Sequence, residues 1–564
     1  MVGGLLPADS GGSVVFARCA SWAAAVSLLA GALGGGVASA ANDTPSSCNG
    51  PLRLSDRYHV DFANFDATGA ITFGGTRLVL TGTGTDYTVN DPARRTWTLW
   101  FRSWVWLGPL VAEGRAEDAV RLATQWHAAV PDPGGQAGRS ELWATGWSEG
   151  AVTQRMQSVL CVWQATRDPA LIPVMTDLAR ANMDPMRYYG LPRRPPHNHG
   201  TMADFALLRA GQAMNVPAWI DFAINRFDVA VRRVFDECGS DAEQSSSYLA
   251  HNLQLWERVL RVAQILGIDR LGDVLRQRLP AVRHALASLT LPGGRVPVVG
   301  DGSVKQGLAP ARGTPTQWWC PDRGWAAGRD SWERPRVHYT LHFGAAPRFH
   351  GHDDHGSVTW WTDVNGGALV LTDRGPAPKD SPAAVEEFAQ SKASHSVLYP
   401  AESRWTSSSS ASRETTKTSW RFTVTDGSRN SDAYRIRTID IRRDRPVLVV
   451  TDEGHGTVRQ GWRQTWQLHP DWQPAVNAEW GVIARHPNGS VLQAICAWSV
   501  DQRDLQVPEL SRVPDYSSTD IRTMGLAATC QRSGRDVRVS TVLAVGTTPL
   551  SREQLLALLP ENGR

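Results

Sequence analysis

Residues 270–294, RLGDVLRQRLPAVRHALASLTLPGG, decide how the chain is built. From Arg270 to Ser288 the apolar residues return at helical spacing, and at Leu291-Pro292-Gly293-Gly294 that texture stops. Beyond it, to about Thr547, the chain breaks into short runs punctuated by Gly, Pro, Asn and Asp, which read as strands and turns. Val337 to Phe343 and Tyr434 to Ile441 alternate, and Pro446 to Val450 is an apolar run suited to a buried strand. Two stacked antiparallel sheets would absorb so many strands.

Working back from residue 270, helical stretches follow one another with only short Pro, Gly or Asp breaks. They fall at about Glu243 to Ile265, Trp219 to Cys238, Thr201 to Met214, Leu171 to Asn182 and Trp147 to Thr166. Two more are marked by Trp97 to Leu110 and by Ala119 to Ala129, the latter stopping at Pro131-Asp132-Pro133. The first half is a serial array of helical hairpins, and the whole is an α+β multidomain chain. The expected boundaries are a lead-in over 41–90, a helical domain over 91–292, a strand domain over 293–550 and a small terminal helix in 551–564.

With 564 residues, 42% hydrophobic and 20% charged, the chain is globular and too long for one core. Residues 1–40 read as a signal peptide: Arg18, an apolar run from Trp22 to Ala32, then Val37-Ala38-Ser39-Ala40 as an Ala-x-Ala cleavage site. The expectation is a secreted or periplasmic protein with no membrane segment after cleavage. Of 7 cysteines, six follow the signal segment without CxxC spacing, which excludes thiolate metal clusters and leaves Cys496 and Cys530 free to pair across adjacent strands. A net charge of +3 without a basic run excludes a nucleic-acid partner. The 24 tryptophans suit sugar stacking, although buried tryptophan is more often core.

Three places carry chemistry. In Phe349-His350-Gly351-His352 the two imidazoles leave one face of an extended segment, and Asp373 and His395 each stand at a strand end. His352, Asp373 and His395 could therefore converge on one divalent ion, and a His2Asp set suits zinc. In the helical half, the Pro-rich loop ending in His197-Asn198-His199-Gly200 delivers Asn198 and His199 to a helix start, either as caps or as groups that neutralise a substrate carboxylate and move a proton. Asp241-Ala242-Glu243-Gln244-Ser245 is a polar helix entrance that leads to Tyr248, whose hydroxyl can act as an acid as it stands and as a base only near cations.

These motifs, in this order, resemble the heparinase II/III family of polysaccharide lyases, which includes alginate lyase relatives, over roughly Trp97 to Pro470. The resemblance implies an incomplete (α/α) toroid followed by an antiparallel β-sandwich, with a cleft between them. It implies β-elimination on an acidic polysaccharide that contains uronic acid. It also implies roles: Asn198 binds the uronate carboxylate, Tyr248 and His199 share C5-proton removal and leaving-group protonation, and His350 assists. His352, Asp373 and His395 fall on the family's metal positions, for a structural zinc. Where many members carry Asn-Thr after the last of these histidines, this chain has Ser396-Val397; His355 and the region before Trp97 match nothing in the family. Two other classes compete: a glycoside hydrolase on the same toroid using Asp241 and Glu243 as its carboxylate pair, and a non-catalytic polysaccharide binder using tryptophan faces.

Overall fold

The computed structural model describes residues 59–81, 85–91, 94–134, 137–188, 197–300, 302–343, 357–377, 381–400, 409–427, 432–477, 479, 481–498, 505–514 and 524–560. An antiparallel lead-in of β1 (Val60–Asp61), β2 (Ala70–Phe73) and β3 (Thr76–Val79) comes first. It seats on helix α1 (Arg95–Arg102), where the Trp97 indole donates to the Phe73 carbonyl at 3.0 Å.

The helical half continues with α2 (Leu107–Ala112), α3 (Ala116–Ala129), α4 (Arg139–Ala144), α5 (Glu149–Thr166) and α6 (Leu171–Met183). It ends with α7 (Asn198–Met214), α8 (Pro217–Val234), α9 (Ser246–Ile265) and α10 (Asp269–Leu289). Helices α5 and α6, α7 and α8, and α9 and α10 pack as consecutive pairs, because each buries one apolar stripe against its neighbour. One helix starts later than its pattern suggests. Gln244 holds a left-handed φ of 57°, so the residues from Asp241 to Gln244 form a turn and α9 begins only at Ser246.

After a two-stranded sheet of Arg295–Val296 and Lys305–Gln306, the strand half is one antiparallel sheet of sixteen strands among the described residues, with a continuous path that begins at β16 (Gln473–Asn477) and β17 (Gly481–Arg485) and runs on through β18, β21, β15, β10, β9, β8, β7 and β6. The strands that matter below are β6 (Gln317–Cys320), β7 (Trp325–Arg329), β8 (Val337–His342), β9 (Ser357–Thr362), β10 (Ala368–Leu371), β13 (Ser419–Asp426), β14 (Ala433–Arg442), β15 (Val447–Leu468), β18 (Val491–Ala497) and β21 (Met524–Gly546). Tyr339 of β8 meets Trp420 and Phe422 of β13 at ring separations of 5.2 and 5.3 Å, although those strands are not hydrogen-bonded neighbours. The sheet therefore folds back on itself into a two-layered sandwich around an apolar core. Toroid and sandwich are the architecture of this chain.

The two halves meet through β7 and β8. Every residue of β8 is buried, so its alternation does not separate a core face from a solvent face. Val337, Tyr339 and Leu341 enter the sandwich core, while His338 and His342 face the helices. His338 Nε2 lies 2.8 Å from the Ser288 carbonyl at the end of α10; burial, with Arg329 nearby, pushes this imidazole down to about 3 and keeps it neutral. The Trp318 indole donates to the Cys238 carbonyl at 2.7 Å, and a disulfide joins Cys238 to Cys320 across the same boundary. A second disulfide pairs Cys496 with Cys530 on β18 and β21.

Ten of the largest side chains less than 2% exposed are tryptophans, among them Trp104, Trp126 and Trp147, which surround the buried guanidinium of Arg155. The tryptophan excess is thus mostly core, which removes the main support for a binder built on exposed indoles.

Candidate active site

Helix α7 is capped by His197, whose Nδ1 accepts the His199 N–H at 3.1 Å. Asn198 and His199 are consequently the first helical residues rather than its cap. The Asn198 side chain is 5% exposed, and its Oδ1 has no hydrogen-bond partner among the described residues. An acceptor left so costs about 1–3 kcal/mol, and it leaves the Asn198 Nδ2 as the group that could donate to a carboxylate.

The Asn198 backbone N–H donates to Glu243 Oε1 at 3.0 Å. The same oxygen accepts from Asn252 Nδ2 at 2.9 Å, and that amide nitrogen also reaches Asp241 Oδ2 at 3.0 Å. Burial and the Glu243 carboxylate together hold the Asp241 carboxyl well above the usual carboxylate range. Asp241 and Glu243 are 3% and 2% exposed and tied to one amide, so they do not offer a glycosidase carboxylate pair to a cleft.

Ser245 caps α9: its Oγ accepts the Tyr248 N–H at 3.3 Å. The next two hydroxyls anchor the helix start to the loop that leaves α10, Ser246 Oγ donating to the Pro297 carbonyl at 2.6 Å and Ser247 Oγ to the Ser303 carbonyl at 2.9 Å. Tyr248 is half-buried and meets His251 edge to face at 6.3 Å. Burial, then Lys305 and Arg258, lower the His251 imidazole, so Lys305 and Arg258 place positive charge near the phenol's helix. Between Glu243 and Ser245, the Gln244 side chain turns to the sheet. Its Oε1 accepts from the Trp325 indole at 3.0 Å and lies 3.1 Å from His342 Nε2.

His199 lines a small recess with Glu149, Thr153, Asn182, Arg187 and Tyr188. The cations at its wall are matched: Arg187 forms a bidentate pair with Asp132 at 2.6 and 3.0 Å, and Arg226 and the Tyr188 hydroxyl both donate to Asp204 at 2.6 Å.

In the sandwich, His350 and His352 lie outside the described residues. Asp373 and His395 come together, with His395 Nδ1 2.8 Å from Asp373 Oδ2, which also accepts from Ser357 Oγ at 2.6 Å. Burial raises the Asp373 carboxyl, but His395, Ser357 and the Gly375 N–H outweigh it and hold the group below its usual range. Two donors of the expected His2Asp set are therefore adjacent and buried, and their chemistry fits a divalent ion such as zinc. Among the described residues the one His/Cys/Asp/Glu triple with all ligand atoms close together is Asp236, Cys238 and Cys320, and its cysteines are joined in the disulfide, so it offers no thiolates.

Sequence reasoning missed Gln244, Asn252, Trp325 and His342. Histidines at positions 338 and 342, on one face of a strand whose other face is apolar, were the available signal that something polar covers that face.

No family model matches the chain, and no curated protein matches it. Solved structures do. A heparinase III structure superposes with a TM-score of 0.66 at 12% identity, covering 84% of this chain and 81% of that one. The heparan sulfate lyase HepC from Pedobacter heparinus gives 0.60 at 15% identity, covering 90% and 86%. A structure described as the heparinase III BT4657 gene product gives 0.59 at 14%, covering 83% and 81%. The chain has the fold of these proteins.

Proposed function

We propose that the protein is a polysaccharide lyase that cleaves a chain containing uronic acid by β-elimination. The observation that carries the reading is the hydrogen-bonded link from the Asn198 N–H through Glu243 to Asn252, which ties the helix start bearing Asn198 and His199 to the helix bearing Tyr248. It stands on a fold shared with heparinase III and heparan sulfate lyase structures.

A C5 proton next to a carboxylate is very weakly acidic until the carboxylate charge is met. Asn198, with His199, binds and neutralises that carboxylate. Tyr248 and His199 share the two proton movements: one takes the C5 proton, the C5–H electrons form the C4–C5 double bond, the C4–O4 bond breaks, and the other returns a proton to O4. His350 assists. His352, Asp373 and His395 would hold a structural divalent ion, taken as zinc, which when bound would stabilise the fold. Its seat leaves proton transfer to Tyr248 and the histidines.

The proposal extends to the chain's layout: signal peptide 1–40, lead-in 41–90, toroid 91–292, sandwich 293–550 and tail 551–564, in a secreted or periplasmic protein. Among the described residues no helix is long and apolar enough to cross a membrane. The test is to incubate the purified protein with a panel of polyuronates and glycosaminoglycans and follow absorbance near about 235 nm, which only an unsaturated uronyl end produces. Appearance of reducing ends without that absorbance would favour hydrolysis and overturn the reading.

A further inference from the structure

Glu243 is nearly inaccessible, yet one of its carboxylate oxygens, Oε1, is shared between two helices that carry the proposed chemistry. On one side it accepts the Asn198 N–H, the first backbone donor of α7, where negative charge also complements the helix dipole. On the other it is held by Asn252, which stands four residues beyond Tyr248 on α9 and therefore on the same stripe of that helix. We propose that Glu243 is a positioning residue for the elimination: clamped by Asn252, it sets the start of α7, and with it Asn198 and His199, relative to Tyr248. This rests on the lyase reading above.

Glu243 acts here through its bonds to the Asn198 N–H and the Asn252 amide rather than on the substrate itself. Its effect passes through the backbone of Asn198. The Asp241 carboxyl, bound to the same Asn252 amide, shares that donor, and burial with Glu243 beside it holds this carboxyl well above the usual carboxylate range. Glu243 is also anchored from behind. Gln244 and Ser245 follow it directly, the first bound to Trp325 and His342 of the sheet and the second capping α9, so the segment cannot follow α7 if that helix shifts.

The experiment compares wild type, Glu243→Ala, Glu243→Gln, Asn198→Ala and the double variant Asn198→Ala/Glu243→Ala on whichever polyuronate the wild type cleaves, after thermal melting confirms that each is folded. A misplacement of the carboxylate-binding group should lower kcat of Glu243→Ala by about a hundredfold with KM within about threefold. Glu243→Gln keeps an acceptor oxygen and should recover at least about tenfold of that loss. Because Glu243 acts in part through Asn198, its loss should slow the Asn198→Ala background by at least about tenfold less than it slows the wild type. A folded Glu243→Ala with wild-type kcat, or losses that multiply in the double variant, would overturn the proposal and leave the lyase reading standing. If Glu243→Ala does not fold, Glu243→Gln carries the same cycle: a kcat loss clearly smaller in the Asn198→Ala background than in the wild type supports the proposal, and an equal loss in both overturns it. A wild type that makes no unsaturated product from any polyuronate overturns the lyase reading and this inference with it.

Discussion

His342, at the end of a sandwich strand, lies with its Nε2 3.1 Å from the Oε1 of Gln244, in the turn that precedes the helix of Tyr248. Both side chains are buried, and the Trp325 indole donates to the same oxygen at 3.0 Å. The two halves of the chain are thus joined by a polar contact beside the candidate active site rather than by apolar packing alone. A left-handed φ at a non-glycine residue is kept only where the surroundings hold it, and here two sheet residues do so.

Replacing Gln244 by alanine should therefore destabilise the protein. The Trp325 N–H and the His342 imidazole would lose their common acceptor inside the interface, at about 1–3 kcal/mol for each group left unmet. Urea unfolding at neutral pH measures this. A midpoint equal to the wild-type value would show that the contact contributes nothing to the join.

Asn198→Ala should lower turnover on free uronate substrates, since the charge on the carboxylate must be met before C5 is deprotonated. On a methyl-esterified substrate, whose carboxyl carries no charge, the gap between variant and wild type should narrow. Initial rates on the two substrates decide it, and full activity of the variant on free uronate would contradict the role.

Asp452 of β15 is fully buried against Arg437 of β14, with both oxygens 2.7 Å from the guanidinium and one of them also accepting from Gln464 Nε2 at 2.8 Å. Burial raises its carboxyl, but the Arg437 charge and these hydrogen bonds win and hold it below the ordinary value. A carboxyl depressed in the folded state contributes stability above its unfolded pKa, about 3.9, and loses it as the pH falls through the folded value. Asp452→Asn should cost about 3–5 kcal/mol at pH 7, because Arg437 would be left buried without its counter-charge. The difference in melting temperature from wild type should shrink below about pH 4. A gap that is constant between neutral and acid pH would contradict the assignment.

Much of the fold was legible because each half carries its own period. Amphipathic helices must repeat near 3.6 residues to bury one stripe, and the break at Leu291-Pro292-Gly293-Gly294 falls between the end of α10 and the first strand of the second half at Arg295. What could not be read was what lies across an element. Alternation alone does not say what covers the polar face of β8; the helices cover it, and His338 and His342 serve the interface. Glu243 read as an ordinary first-turn residue, because nothing local shows that Gln244 turns left-handed and leaves Glu243 in a buried turn. The partners of Glu243 lie 45 residues before it and 9 after it, and only the packing of α7 against α9 brings all three together. The same holds for the disulfides: Cys496 and Cys530 sit on strands that pair, whereas Cys238 and Cys320, 82 residues apart, meet only once the two halves dock.

His352, Asp373 and His395 should retain about one equivalent of zinc through purification in zinc-containing buffer. His395→Ala should lose it, and chelation should lower the melting temperature more than it lowers the turnover of the fraction that stays folded. Metal analysis by mass spectrometry checks both proteins. A wild type without metal, or a His395→Ala variant that keeps it, would refute the site.

The central claim is that the Tyr248 hydroxyl moves a proton in the elimination, and Tyr248→Phe tests it most directly because the ring stays and only the hydroxyl is lost. Turnover measured by absorbance near about 235 nm should fall by at least about a thousandfold, while calorimetric binding of the same polyuronate stays within about threefold of wild type. Activity within about tenfold of wild type would return Tyr248 to the wall of the helix and contradict the account.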